Sequence, residues 1–259
     1  MTFRFGRNRP APHLRLGHKM ASRYFNADAM PPVPDAFDFS SLNASALANV
    51  LANDTLGDCT SAGAGHLIDV FTAGGVGAVD ITPEQAIAFY SQSTGYVPGD
   101  PSTDQGGDEV TVLTSWRTKG YDGNGLHAIA GFVQIDPSNA VELKAAQFYF
   151  GGLYFGLELP DSYTNPFPSS NGFVWGPDTP NPAQGHCIVG VGADATGIHV
   201  DSWGLLGTLT YDAIAQLCSE AAGGMVFAVL SKEWINAASQ ASPAALDWAT
   251  LQADFAELT

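Results

Sequence analysis

The chain has 259 residues, of which 45% are hydrophobic and 11% aromatic, and it carries 10 basic against 26 acidic side chains. This length and composition suffice for one or two domains with a substantial core, and they exclude global disorder. Residues 1–23 contain 6 Lys and Arg and no acid, whereas the rest of the chain contains 4 basic and 26 acidic residues, a net charge of −22. A body this acidic is unsuited to binding nucleic acid, because phosphate neutralisation needs clustered Lys and Arg.

No run of the sequence approaches the roughly 18–20 consecutive apolar residues of a membrane span, so we expect no membrane association. The basic N-terminal region lacks the apolar stretch of a secretory signal, because Arg, His and Pro interrupt it. The three cysteines have no CxxC spacing, so the sequence indicates neither a disulfide framework nor a zinc site. We therefore expect a reducing, cytoplasmic location and no metal or cofactor.

The first segment, residues 1–34, reads as an extended arm, because it ends in the proline-rich run PPVP. A short apolar stretch and a turn-rich segment follow, and the residues after Cys59 then carry apolar side chains at helical spacing. Gly63 and Gly65 weaken this helix, which suggests that another backbone packs close to it.

The central part of the chain is predicted to be mainly helical. Thr82-Pro83-Glu84-Gln85 is a capping box with proline at the first helical position, which predicts a helix to about Ser93. The next loop carries Asp100, Asp104 and Asp108, but the glycine and the closing Glu of an EF-hand are missing, so a solvated acidic loop is favoured over calcium binding. The stretch VTVLTSWRTKG predicts a further helix or a buried strand.

A helix followed by a strand is predicted next. Asp136-Pro137 opens the helix, in which Val141, Ala145 and Phe148 share one face, and Gly151-Gly152 ends it. The run LYFGLEL then alternates as a strand.

The last third of the chain is predicted to be mainly β. A loop with six prolines, residues 160–184, precedes the β-like runs HCIVGVGA and GIHVDSWG, which a turn at Asp194–Gly197 joins. A helix near Tyr211–Ala222, a strand at Met225–Leu230 and a helical extension at 233–259 follow. Early helices and late strands predict an α+β fold in two lobes.

A few residues stand in the order that a thiol-dependent active site requires. A thiol nucleophile needs a lowered pKa, a base and a group that orients the base. Cys59 stands in the first turn of a predicted helix, where the macrodipole favours the thiolate, although the adjacent Asp58 opposes it. His186 opens a strand, and Asp201 follows in the neighbouring strand within reach of the ring. Asn53, six residues before Cys59, could offer its amide N–H to an oxyanion.

These segments resemble the papain-like cysteine peptidases. VLANDTLGDCTSAGAG is similar to the family segment in which an oxyanion-hole Gln precedes the nucleophile by six residues. GHCIVGVGADATGIHVDSWG is similar to the family's base-bearing strand and Asn-Ser-Trp-Gly motif. Gly106 and Gly107 resemble the Gly-Gly pair that binds substrate backbone. Trp203 is also a candidate for substrate binding, but a lid packed over the His–Asp pair is the favoured role.

The resemblance implies a papain-like two-lobed domain at residues 35–232, with a helical left lobe, a β-barrel-like right lobe and the cleft between them. The basic extended N-terminal arm, 1–34, and the extension, 233–259, would lie outside this domain. The sequence is also similar to papain-like proteins of tailed phages and prophages, which would make the protein cytoplasmic or virion-associated.

The function that the resemblance implies is hydrolysis of a peptide or protein substrate through a covalent acyl-enzyme. Cys59, His186 and Asp201 would form the triad, and Asn53 would stabilise the oxyanion. These positions depart from the family pattern, which has Gln and Asn where Asn53 and Asp201 stand and Trp where Thr60 stands.

Two other functions stay open at this point. The departures favour a non-catalytic papain-like structural or assembly protein, such as a virion component, with a degenerate site. A peptidoglycan hydrolase of the NlpC kind is disfavoured, because its cysteine and histidine are much closer in sequence than the 127 residues here. The basic segment 1–23 is expected to dock on an acidic surface, of its own body or of a neighbouring copy in a homo-oligomer or assembly, and to loosen at about 0.5 M salt.

Overall fold

A computed structural model describes residues 4–9 and 32–234 of the chain. The predicted C-terminal helix and residues 10–31 of the arm lie outside the described residues. The α-helices are α1 (Ala44–Leu47), α2 (Cys59–Gly74), α3 (Pro83–Thr94), α4 (Glu109–Lys119), α5 (Ala140–Phe150), α6 (Asp161–Thr164) and α7 (Tyr211–Leu217). The strands are β1 (Arg7–Asn8), β2 (Phe37–Asp38), β3 (Gly107–Asp108), β4 (Gly131–Gln134), β5 (Leu153–Glu158), β6 (Phe173–Trp175), β7 (Gly185–Ala193), β8 (Gly197–Ser202), β9 (Leu205–Thr210) and β10 (Met225–Leu230).

An eight-stranded sheet forms the centre of the described structure. Its strand order is β4-β10-β5-β7-β8-β9-β6, and β2 pairs with the far end of β7. All of these pairs are antiparallel except β6 with β9. A separate two-stranded parallel pair joins β1 to β3. This mixture of helices and sheet is the predicted α+β architecture.

Two hydrophobic cores lie on the two faces of the sheet. One contains α2, α3 and α4 packed against the sheet face that carries Tyr154, Cys187 and Val189. The other contains α5 and α7 packed against the opposite face. The long helix α2 is buried along nearly its whole length, so it lies between the helical lobe and the sheet.

The capping box predicted the start of α3 correctly. Thr82 Oγ1 accepts from the Gln85 N–H at 3.3 Å, and Gln85 Oε1 accepts from the Thr82 N–H at 2.9 Å. The helix ends at Gly95 in the left-handed conformation, with φ of 84°. The strand predicted at Met225–Leu230 and the turn between β7 and β8 are also confirmed.

The predicted start of α5 is wrong. The helix begins at Ala140, because the side chain of Asn139 caps it by accepting from the Glu142 N–H. Asp136 instead forms a local turn with Ser138. Of the three residues predicted to share a face, Ala145 and Phe148 pack against the core and Val141 is 80% exposed.

Three further expectations need correction. The proline-rich loop contains α6 and β6, and the strand β9 between Ser202 and Tyr211 was not predicted. Gly63 and Gly65 make close contacts with side chains rather than with another backbone. A Cβ on Gly63 would lie 3.2 Å from Cys187 Sγ.

In the part of the chain that is described, no helix is long and apolar enough to cross a membrane.

Candidate active site

Cys59 is the first residue of α2, as the sequence predicted, with Asp58 at the N-cap position. The thiol is 1% exposed, and burial raises its pKa to about 12, with the Asp58 and Glu109 carboxylates acting in the same direction. Burial also raises the pKa of Asp58 well above its ordinary value. The buried thiol is therefore protonated.

His186 lies in β7, and its ring contacts Trp203 and Ser202. The two ring systems stack with centroids 3.7 Å apart and an interplanar angle of 12°. His186 Nε2 lies 3.2 Å from Ser202 Oγ, and Nδ1 has no hydrogen-bond partner among the described residues. Burial lowers the pKa of His186 to about 3, so the imidazole is neutral. Trp203 thus covers the predicted base.

The residues predicted for catalysis line one small cavity of about 20 Å³. This volume is enough for about one water molecule. The members predicted from the sequence are Cys59, His186, Asp201, Asn53 and Trp203. The fold therefore brings all of them together, although no hydrogen bond joins the Cys59 thiol to the His186 ring within residues 4–9 and 32–234.

Asp201, predicted to orient His186, faces another histidine. Its Oδ2 lies 3.5 Å from His66 Nε2, and His66 Nδ1 lies 3.4 Å from Asp69. Burial disfavours the charged ring, but the two carboxylates outweigh it and raise the pKa of His66. Burial raises the pKa of Asp201 to about 7. The contact to His186 is made by Ser202, for which the sequence predicted no role.

A bulge in β7 explains why Ser202, rather than Asp201, contacts His186. The register of β7 against β8 shifts by one residue between Gly190 and Gly192, and Val189 then pairs with Asp201. Because side chains alternate along a strand, a shift of one residue exchanges the faces. Without it, Asp201 would share a face with His186.

Asn53, the predicted oxyanion donor, points its amide at backbone carbonyls. Its Nδ2 donates to Leu56 O at 3.0 Å and to Arg4 O at 3.4 Å, and its backbone carbonyl oxygen accepts from Trp203 Nε1 at 3.2 Å. The side chain of Asn53 is one methylene shorter than the Gln of the family pattern. Its amide nevertheless reaches a carbonyl in the cleft, that of Arg4.

That carbonyl belongs to the chain's own N-terminal arm, of which residues 4–9 run through the cleft. Gly107 N donates to Gly6 O at 2.7 Å, and β1 pairs with β3 in parallel. Gly106 has φ of 73°, and a Cβ there would lie 1.8 Å from Gly6 O. Gly107 thus binds peptide backbone, and Gly106 leaves the space for it. The sequence alone left the position of the arm open.

Side chains of the arm are also held. Phe5 meets the ring of Trp203 edge to face, with centroids 5.8 Å apart. Arg7 Nε contacts Glu109 Oε1 at 2.5 Å in an ion pair that is almost wholly buried. Arg9, with 44% of its side chain exposed, pairs with Glu158 at 2.7 Å.

The acidic loop considered for calcium uses its carboxylates locally. Asp104 accepts from the Gly57 N–H and from the Tyr90 hydroxyl, Asp100 caps a short 3-10 helix, and Asp108 caps α4. Within residues 4–9 and 32–234, no group of three or more His, Cys, Asp and Glu is arranged to hold a metal ion. The three cysteines are free and buried.

Sequence comparisons identify no relative, since no family model matches the chain and no curated protein matches it. Solved structures do match. Xylellain, a cysteine protease from Xylella fastidiosa, has a TM-score of 0.60 and 13% identity over 87% of this chain and 95% of its own.

Two proenzymes give similar values. The digestive procathepsin L2 proteinase from Tenebrio molitor larval midgut has a TM-score of 0.59 and 17% identity over 88% of this chain and 78% of its own. The procathepsin B S9 from Trypanosoma congolense has a TM-score of 0.56 and 10% identity over 88% of this chain and 86% of its own. At these identities the likeness concerns the fold, and the chain has the fold of the papain-like cysteine proteases.

Proposed function

We propose that the chain is a cysteine peptidase whose nucleophile is Cys59 and whose base is His186. The observation that carries this proposal is that the groove beside Cys59 holds an extended peptide, the arm itself, by backbone pairing to Gly107. A groove that binds peptide backbone next to a thiol and an imidazole in one cavity has the parts needed for acyl transfer.

In the proposed reaction, the thiol of Cys59 gives its proton to His186 and the sulfur attacks a peptide carbonyl carbon. The Asn53 amide N–H stabilises the resulting oxyanion. The intermediate collapses to a thioester as the C–N bond breaks, and the imidazolium returns the proton to the leaving amine. Water, deprotonated by His186, then hydrolyses the thioester and restores the thiol.

Ser202 rather than Asp201 orients the base in this proposal. Its Oγ is the hydrogen-bond partner of His186 Nε2, which leaves Nδ1 free to receive the proton of the thiol. Asp201 acts on the opposite face, where its partner is His66.

The arm keeps the site inactive while it occupies the groove. It fills the place that a substrate would take, and under it the thiol and the imidazole are both neutral. The proposal therefore requires that the arm leave the groove before a substrate binds, which would hydrate the cavity and return both pKa values toward their ordinary range.

A variant that unseats the arm tests this function. The Cβ of Gly6→Ala would lie 1.7 Å from Gly57 O, so the arm cannot keep its place. We expect this variant to be labelled at Cys59 by an epoxide or vinyl-sulfone probe, and to cleave peptides, at least tenfold faster than the wild type. Cys218→Ala should keep the labelling and Cys59→Ala should lose it. An unseated arm without labelling of Cys59 would refute the peptidase.

A non-catalytic structural or assembly protein with this fold is the second candidate. The covered groove, the neutral thiol and the turn of Asp201 toward His66 favour it. On this alternative, the Gly6→Ala variant would have a Cys59 of ordinary thiol reactivity and no turnover of any peptide.

A further inference from the structure

We propose that the pocket around Glu109 is the specificity pocket of this groove and that it selects an arginine side chain of the substrate. Arg7 of the arm occupies the pocket as an internal mimic of that side chain. This inference rests on the proposed peptidase function and adds the substrate class to it.

The pocket is closed and accepts a guanidinium at two points. Arg7 Nε contacts Glu109 Oε1 at 2.5 Å, and Arg7 Nη1 donates to Gly223 O at 2.6 Å. The exposed fractions of the Arg7 and Glu109 side chains are 1% and 0%. A Cβ on Gly156 would lie 1.5 Å from Glu109 Oε1 and 2.9 Å from Arg7 Nε, so the missing side chain at this position makes the room.

A buried carboxylate makes such a pocket selective for a cation. Burial raises the pKa of Glu109, and the Arg7 guanidinium opposes this rise. An ionised carboxylate away from water is costly unless it is paired, so an apolar or neutral side chain in this place would leave Glu109 uncompensated. A guanidinium lowers that cost by pairing with Glu109 Oε1.

The two acceptors favour arginine over lysine. Glu109 and Gly223 O are engaged at once by different nitrogens of one planar group. Arginine offers several N–H donors on different nitrogens in a fixed planar arrangement. Lysine has one ammonium nitrogen, which would have to donate to both acceptors.

The pocket also lies next to the reacting thiol. Gly107, which binds the backbone of the arm at Gly6, is two residues before Glu109 in the chain. The arm residue adjacent to Arg7 is thus the one held over Gly57 and the start of α2. A peptide that places arginine in the pocket therefore has its backbone beside Cys59.

The test compares two peptides that differ by one uncharged isostere. The first, Ala-Phe-Gly-Arg-Asn-Ala, contains the sequence of residues 5–8 of the arm, and the second has citrulline in place of arginine. Their binding is measured by fluorescence anisotropy on the full chain carrying Gly6→Ala, Arg7→Ala and Cys59→Ala, so that the arm is unseated and no cleavage occurs. We expect at least tenfold tighter binding of the arginine peptide.

Two further variants in the same background locate the preference. Glu109→Gln, which keeps the shape of the side chain, should abolish the preference for arginine, and Gly156→Ala should do the same by filling the pocket. Glu84→Gln removes an equal charge from an exposed site on α3 and should preserve it. Equal binding of the two peptides would overturn the proposal. So would a preference for arginine that survives in a Glu109→Gln variant whose cooperative unfolding shows that it is folded.

Hydrolysis separates this proposal from the peptidase itself. With Cys59 intact and the arm unseated, fluorogenic peptides carrying arginine or citrulline at each of the four positions on either side of the cleaved bond are compared. We expect at least a tenfold higher kcat/KM for arginine at one of these positions, lost in Glu109→Gln. Cleavage without any arginine preference overturns the pocket alone. If no peptide is cleaved the peptidase fails, and this inference about its substrate fails with it, even if the anisotropy shows that Glu109 binds arginine.

Discussion

The hydrogen bond from His186 to Ser202 is the residue-level feature on which the proposed chemistry depends most. We expect Ser202→Ala, in the Gly6→Ala background, to lower kcat by about tenfold. The reason is that the loss of one buried hydrogen bond of about 1.5 kcal/mol lets the ring rotate away from the orientation that proton transfer needs. The measurement is steady-state hydrolysis of a peptide substrate over a range of concentrations.

Asp201→Asn is the matched variant at the neighbouring position. It removes a charge that faces His66 rather than His186, so kcat should stay within about threefold of the background. A larger loss for Asp201→Asn than for Ser202→Ala would show that the carboxylate, and not the hydroxyl, orients the base in the open enzyme.

Among single residues, those defined by local order were predictable and those defined by register were not. Cys59, Asn53 and His186 are placed by a helix start, a preceding turn and a strand start, which short sequence patterns indicate. Ser202 is the partner of His186 because of a bulge between Gly190 and Gly192. The sequence of this glycine-rich stretch does not indicate which of its residues is left unpaired in the bulge.

At the scale of elements, the same distinction separates α3 from α5. The start of α3 is fixed by a reciprocal capping box in which two side chains must match, so the sequence determines it. The start of α5 lies at Ala140 because Asn139 caps the helix, while Asp136 accepts from the Ser138 N–H in a local turn. Asp and Asn are both common cap and turn residues, so the sequence does not distinguish these two uses.

An ion pair at the end of the described structure gives a pH-dependent prediction for an element. His127 Nδ1 lies 2.6 Å from Glu233 Oε1, in the 3-10 helix Lys232–Trp234. This hydrogen bond raises the pKa of His127. A histidine with a raised folded-state pKa contributes stability that is complete below its unfolded value of about 6.5 and is lost as pH rises through the folded value.

We therefore expect His127→Gln to destabilise the protein by about 1 kcal/mol at pH 5.5 and by much less at pH 9. Denaturant unfolding of the wild type and of His127→Gln at the two pH values measures this difference. The titration of other groups, such as His199, is common to both proteins and cancels in the comparison. Glu233→Gln should reproduce the effect, because it removes the same hydrogen bond to a charged ring. A destabilisation that grows as the pH rises would mean that the charged form of His127 is not the one that Glu233 stabilises.

At the scale of the whole molecule, the division of charge between arm and body has a structural meaning. The described part of the basic arm lies against its own acidic body, and one of its arginines is buried there while another stays half exposed. Composition indicated the attraction between the two parts but not its place. That place depends on the groove which the distant strands β3, β5 and β7 form together, and no local pattern encodes it.

The two arginines should differ strongly in how much they hold the arm. Arg7→Ala removes a buried pair worth about 3 kcal/mol when broken, whereas Arg9→Ala removes an exposed contact worth about 0.5 kcal/mol. The readout is hydrogen exchange of the Gly107 N–H, which donates to Gly6 O. We expect its protection to fall by about 100-fold in Arg7→Ala and by less than about threefold in Arg9→Ala. Equal effects would mean that the backbone alone seats the arm.

Salt dependence distinguishes a buried anchor from the general attraction between a basic arm and an acidic body. If exposed charges held the arm, raising the salt from about 0.05 to 0.5 M would shorten the screening length and release it. Since the Arg7 and Glu109 side chains are 1% and 0% exposed, their pair is shielded from ions, and only the contact of Arg9 should weaken. We therefore expect the protection of the Gly107 N–H in the wild type to change by less than about threefold over this range. In Arg7→Ala the arm keeps only exposed charges, so the same protection should fall as the salt concentration rises. A wild-type arm released at about 0.5 M salt would place its anchor on the surface and remove the basis for Arg7 as the mimic of a substrate side chain.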